Sequence, residues 1–470
     1  MYQYTPPEKV ADLVHKDLRR RLNDTGIGFA GVDGVWWRPA CEPFPLSKKI
    51  AQQLEEIGPA LLTFIDTVVD LYRSESSQRL NRLLEYKVPD HIPRHVANGR
   101  IESLRPDFQL CPVDVDNSSF RLMITELEIC PSAHGFAHAM QSAYRLATDL
   151  AEGFARYLDG RPFLFAGTQA WSEFIFEQLA FCRALKDAGA TGRILYDLPL
   201  ATLAEEVRQG KRWQPPLFGI PYKPRDWNDD VIGRVRNHNL EQFMWPGDDD
   251  WPPDIGDAVA FRFGYFDCFS TARLRYFRQW QQRGAKFLNP TIFFLENKAM
   301  MAALDLPEVR QQLDETTLAV LEGCLPKTIL LTGESLNRIL DEKDDCIVKF
   351  AAYDGGNQAW GGRSLEIGHQ HPSDSWRKVL EGYLALPWPI VAQRAVPTAR
   401  IDLHYLDARD NIRLLRDGHT RLRVFFLRDE PSSTYSSCRT IACGSHITVS
   451  EGKAGVSEGL NAVQAPIVFV

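Results

Sequence analysis

Between residues 161 and 290 the chain alternates short apolar runs with amphipathic stretches. This alternation constrains the fold more than any other feature of the sequence. The run FLFAG comes first, and the stretch from Trp171 to Leu185 then has helical spacing, with Gly189 just beyond it. RILYDL and DAVAFRFGYF read as strands. Thr271 to Arg283 reads as a helix followed by Gly284, and AKFLNP closes the series. Glycine suits the left-handed position that ends a helix. Strands separated by helices of about 10–15 residues predict a mainly parallel sheet with helices packed on it.

The rest of the chain has other periods. Its 470 residues suit about three domains of roughly 150 residues each. Residues 1–100 read as mostly helical, with a helix from Leu46 to about Tyr72, and Trp36-Trp37 ahead of it either lines a pocket or lies on the core. Residues 101–160 hold two extended segments and a helix over 136–158. Residues 291–397 start a helix near Glu296 and carry strands at 346–352 and 389–395. Residues 398–470 read as strand-rich, with RLRVFFL the clearest case. The chain is therefore expected to be an α/β composite. Its net charge of −7 lacks the basic surplus of a nucleic-acid or anionic-membrane binder. No apolar run approaches the roughly 18 residues that span a bilayer, and the first residues lack an apolar signal core. Nine cysteines without a CxxC pair argue against a zinc module or a disulfide framework. A soluble cytoplasmic protein is the expectation. Oligomeric state is not legible.

Several motifs carry chemistry. Gly26-Ile27-Gly28-Phe29-Ala30-Gly31 matches GxGxxG, but DLRRRLNDT before it is no core strand, so no dinucleotide loop is expected. Ile347-Val348-Lys349-Phe350 is an apolar strand carrying one lysine, and the glycine-rich turn 354–362 follows directly. A lysine in such a strand is costly without a counter-charge, and Gly355 and Gly356 let backbone N–H groups approach phosphate oxygens. An edge strand with a solvated lysine is the alternative. FRLMITELEI alternates, which places Phe120, Leu122, Ile124, Glu126 and Glu128 on one face. Its two carboxylates repel at about 7 Å, a strain that Mg²⁺ relieves. Arg105-Pro106-Asp107 adds an arginine and a third hard-oxygen ligand. A solvated strand end with an ordinary ion pair stays open for this motif. His134, the pair Cys443 and His446, and the acidic run Asp248-Asp249-Asp250 read more simply as structural or solvated.

Together these motifs resemble the ATP-grasp superfamily. Glu296-Asn297-Lys298 resembles its acidic-x-Lys helix start, and Leu325-Pro326-Lys327-Thr328 resembles its iPxT strand entry. Lys349 with the turn 354–362 resembles its second nucleotide lysine and phosphate loop. Val391-Ala392-Gln393-Arg394 resembles its hinge strand. Arg105-x-Asp107 and Glu126-x-Glu128 precede these lysines, an order similar to the circularly permuted branch of glutathionylspermidine synthetase. That branch has asparagine where this chain has Glu128, and Asp354 and Trp360 are also departures. The resemblance implies a permuted ATP-grasp fold with a Rossmann-like pre-ATP-grasp domain at 161–290, a nucleotide-binding lid at 291–397, and a core drawn from 101–160 and 398–470. It further implies an ATP-dependent carboxylate–amine ligase working through an acyl phosphate, with small-molecule acid and amine substrates. Mg²⁺ would sit on Asp107, Glu126 and Glu128. ATP would contact Lys298, Lys349, Gly355, Gly356, Gln393 and Arg423, and Arg105 would stabilise the reacting group. An ATP-grasp phosphotransferase and a nucleotide-binding scaffold without turnover are the alternatives.

Overall fold

A four-stranded parallel sheet forms within 161–290, in the order Gly192–Leu195, Phe163–Gly167, Val259–Phe263, Lys286–Phe287. Parallel neighbours need crossover connections, and helices Ile175–Asp187 and Thr271–Gln282 lie in two of them. The inner strands are buried along their whole length because both faces are covered. Leu164, Ala166 and Ala260 pack against Trp251, Phe277 and Trp280 on one face. Phe163, Phe165, Phe261 and Phe263 on the other join the core of the neighbouring helices. Each fully buried phenylalanine there contributes about 1.5–3 kcal/mol.

The computed structural model describes residues 17–22, 24–25, 38–94, 99–113, 119–168, 175–196, 239–245, 251–353, 364–407, 411–429, 440–450 and 462–470. The GxGxxG run, Trp36-Trp37, the acidic run at 248–250, and Gly355 and Gly356 lie outside them. Among the described residues no helix is long and apolar enough to cross a membrane.

A nine-stranded mixed sheet draws on both ends of the chain. Its central path runs Ala462–Phe469, Thr440–Ser450, Ile412–Arg428, Asp107–Pro112, Phe120–Glu126. The segments near residue 107 and near residue 423 thus share one sheet although more than 300 residues separate them. Helix Lys48–Arg73 packs Leu61, Phe64, Ile65 and Val68 into the core formed with Phe108, Leu122, Ile124 and Phe426. The single helix expected over 136–158 is two helices, His134–Ala143 and Asp149–Leu158. The break falls where Arg145 takes a left-handed backbone (φ 59°), which ends a helical turn.

A smaller antiparallel sheet has the order Thr328–Leu330, Ile390–Arg394, Cys346–Phe350, Glu366–Ile367. Val348, Phe350, Ile390 and Ala392 pack on Trp376 and Leu380 of helix Ser373–Ala385. Strand alternation therefore turns Lys349 and Gln393 to the other face. The start near Glu296 is a 3₁₀ segment, Lys298–Asp305, capped by the Asn297 side chain.

Candidate functional site

Pairing in the large sheet sets one row of polar residues across four strands. Asp107 lies opposite Arg423 on one side and Glu126 on the other, and Arg423 lies opposite His446. Asp107 is buried and surrounded by guanidinium groups. Its Oδ1 is 3.1 Å from Arg423 Nε and 3.6 Å from Arg105 Nη2, and its Oδ2 is 3.1 Å from Arg421 Nη1. Burial pushes its carboxyl up, yet Arg423, Arg421 and Arg105 outweigh this and hold it down at about 2. Arg423 also donates to Thr448 Oγ1 at 2.5 Å, and that hydroxyl donates to Gln464 at 2.9 Å. The chain of partners fixes the guanidinium plane.

Glu126 reaches the site by a break in register. Asp107 faces Glu126, whereas Phe108 faces Ile124, so Thr125 is the extra residue of a β-bulge. Bulges re-aim side chains and are common beside active sites. The expectation that Ile124, Glu126 and Glu128 share one face is corrected here. Ile124 stays in the apolar core, Glu126 Oε1 meets Lys298 Nζ at 2.5 Å, and Glu128 lies past the strand's end. The Thr125 carbonyl accepts from Lys349 Nζ at 2.7 Å. Lys349 also donates to Gln393 Oε1 at 3.2 Å, and Gln393 Nε2 donates to Thr328 Oγ1 at 3.1 Å. The small sheet's polar face is thereby joined to the large sheet at the bulge.

Burial, then the adjacent Glu126, pushes the Glu128 carboxyl up to about 8, against the pull of Arg105 and Lys298. Burial brings Lys349 down to about 8, with Glu126 opposing. His446 is brought down to about 3 by burial and Arg423, so its ring is neutral at pH 7. Its Nδ1 sits 3.1 Å from the Gly444 carbonyl, which can only accept, so Nδ1 carries the hydrogen. Cys443 is no nucleophile: its thiol is buried against the Phe425 carbonyl, and burial raises it well above the usual range.

The structure thus brings together Arg105, Asp107, Glu126, Glu128, Lys298, Lys349, Gln393 and Arg423. Among the described residues no group of three or more His, Cys, Asp or Glu side chains is arranged to hold a metal ion. Asp107 is taken up by arginines and Glu126 by Lys298 instead. Arg421 joins the site as well, a residue outside the motifs that the sequence marks. Its signal was the RLR spacing, which puts residues 421 and 423 on one face of a strand. The Thr125 bulge has no such local signal. Beside Thr328, the partner of Gln393, opens a cavity of about 870 Å³, lined also by Met123, Met301, Leu304, Arg394 and Pro397, with Gln393 itself outside its lining. Its size is within the usual range for small-molecule sites.

No protein-family model and no curated protein matches this chain. Among solved structures it is similar to a glutathione synthetase like-effector (GSS30) from Globodera pallida in its apo form. The TM-score is 0.55 at 13% identity, over 99% of this chain and 98% of that one. The two share a mixed α/β fold along essentially their whole length.

Proposed function

We propose that this chain is an ATP-dependent carboxylate–amine ligase built on a circularly permuted ATP-grasp fold. One observation carries the reading. Three separate stretches of sequence bring Arg105, Asp107, Glu126, Lys298, Lys349, Gln393, Arg421 and Arg423 to one place between the two sheets. The fold shared with a glutathione synthetase like-effector supports it.

The residues suit a polyphosphate. Arg105 Nε and Arg421 Nε are buried and have no hydrogen-bond partner among the described residues, so each holds a donor in reserve. Lys298 and Lys349 add charge that is already desolvated. The residues also suit Mg²⁺ delivered with the phosphates, since that ion is usually held by one or two carboxylates plus phosphate oxygens rather than by a protein cage. Glu126 and Glu128 would hold it, with Asp107 behind them. When bound, ATP supplies a phosphoryl group that activates a carboxylate, and Mg²⁺ offsets its charge.

The chain's own residues would then act by position and charge. Lys298 and Lys349 would leave their protein acceptors for phosphate oxygens. Arg105 and Arg421 would orient the substrate carboxylate and receive the charge that develops on it. A carboxylate oxygen would bond to the γ-phosphorus as ADP leaves. The amine nitrogen would then bond to the acyl carbon as phosphate leaves, with the amine proton passing to solvent. The cavity lined by Thr328 and Arg394 would take the base and ribose.

The test is a grid of acids and amines scored for ADP release, with hydroxylamine as a trapping amine. Turnover that needs both an acid and an amine, and hydroxamate formation with the acid alone plus hydroxylamine, are expected. A stable phosphorylated product, or no ADP from any pair, would contradict the reading.

A further inference from the structure

Behind Arg105 lies a turn that combines a strained backbone at Ala133, a buried His134 ring and a close approach at Gly135. Ala133 has a left-handed backbone (φ 75°), unfavourable for any residue with a Cβ. His134 is fully buried within a shell of Phe154, Phe165, Phe181, Phe261 and Phe425, and neither ring nitrogen has a hydrogen-bond partner among the described residues. At Gly135 a Cβ would fall 1.9 Å from the Glu177 carbonyl oxygen. Strain of this kind persists only where the surroundings over-determine the conformation, and it gathers where groups are pre-organised.

The agent that holds the turn is Glu177. This carboxylate is fully buried on helix Ile175–Asp187. Its Oε1 accepts from Ala133 N at 2.9 Å and its Oε2 from Gly135 N at 2.6 Å. It thus caps the free N–H groups at the start of helix His134–Ala143, whose N-terminal Ala133 has no side-chain cap of its own. The residue just before this pair, Ser132, offers its carbonyl to Arg105 Nη1 at 2.6 Å. Arg105 Nη2 in turn faces Asp107. A continuous chain therefore runs from Glu177 through the 132–135 turn to the guanidinium of Arg105.

We infer that Glu177 is a positioning residue for Arg105: it clamps the 132–135 turn so that the Ser132 carbonyl fixes the guanidinium plane toward an anionic substrate oxygen. The anion-binding part rests on the ligase reading above, and the positioning of Arg105 does not.

The test uses the full chain with Glu177→Gln, Glu177→Leu, Arg105→Ala and the double variant Glu177→Gln/Arg105→Ala. The first readout needs no ligand: NMR of arginine guanidinium groups, with the Arg105 signals assigned by their loss in Arg105→Ala. Hindered rotation in the wild type and averaging in Glu177→Gln are expected, while averaging already present in the wild type, or hindrance kept in the variant, would overturn the proposal. Where Glu177→Leu fails to fold, Glu177→Gln carries the test, since it keeps the shape and one acceptor oxygen. The second readout is calorimetric titration with tripolyphosphate below each variant's melting temperature. Glu177→Gln should weaken binding by about tenfold, as loss of a supporting shell typically does, and the double variant should bind no more weakly than Arg105→Ala. Losses that multiply in the double variant, or unchanged affinity in folded Glu177→Gln, would reduce Glu177 to a structural cap. Absence of tripolyphosphate binding in the wild type itself would count against the ligase reading, and the guanidinium spectra would still decide the clamp.

Discussion

Replacing Asp107 by asparagine keeps the shape of the side chain and removes the charge that Arg105, Arg421 and Arg423 share. Those guanidiniums hold the Asp107 carboxyl at about 2, below the ordinary 3.8, and this difference corresponds to roughly 2–3 kcal/mol of stability at neutral pH. The variant also leaves buried arginines facing one another, and breaking a buried ionic group costs about 3–5 kcal/mol. At an unfolding entropy of about 2.1 cal/mol/K per residue, a chain of 470 residues has about 1 kcal/mol/K. The melting temperature of Asp107→Asn should therefore fall by about 3–5 °C at pH 7 in low salt. The sign of the pH dependence follows from a depressed acid. The stabilisation is fully present above 3.8 and is lost as pH falls through about 2, so the gap between wild type and variant should be flat from about pH 5 to 6 and shrink below pH 4. Tripolyphosphate should narrow the gap at pH 7 by supplying the missing negative charge. Calorimetric scans at matched ionic strength read all three effects. A variant that melts with the wild type, or a gap that widens on acidification, would refute the view of Asp107 as the counter-charge of this cluster.

Other perturbations probe other parts. Glu128, raised from 4.5 to about 8, binds its proton more tightly folded than unfolded, so wild-type stability should fall as pH rises across that window; thermal scans of Glu128→Gln should lack this fall, and parallel curves would contradict it. Lys298→Met leaves Glu126 without its 2.5 Å partner, and titration should show ATP affinity weakened at least about tenfold, as for loss of a charged contact worth about 1.4 kcal/mol or more. Gly135→Ala forces a methyl group onto the Glu177 carbonyl, at 1.9 Å; the expected result is loss of soluble folded protein on expression, and a wild-type melting curve would contradict it.

What was legible in the sequence follows from the range of the forces involved. Strands Cys346–Phe350 and Ile390–Arg394 stand out as short apolar runs, and alternation turns Lys349 in the first and Gln393 in the second away from the helix beneath. Lys349 and Gln393 are visible for the same reason. Asp107 and Arg423 each stand in a recognisable strand, but their meeting depends on a pairing across the whole chain that no local pattern encodes. The bulge at Thr125 is likewise invisible, because strict alternation assigns Glu126 to the face of Ile124 and only the partner strand shows the slip. Helix spacing runs unbroken past Arg145, so the apolar pattern carries no sign of the turn between His134–Ala143 and Asp149–Leu158. His134 reads in the sequence as a residue that caps or lines a turn. Its burial among phenylalanines from five other elements comes from tertiary packing alone.

On the proposed function, the cluster between the two sheets would bind ATP through Lys349 and its neighbours. Calorimetric titration of the wild type and Lys349→Met with ATP and Mg²⁺ tests it most directly. Saturable one-to-one binding by the wild type, strengthened by Mg²⁺ and lost in the variant, is expected, with both proteins folded by circular dichroism. Equal binding by the two proteins, or none by the wild type at millimolar ATP, would contradict it.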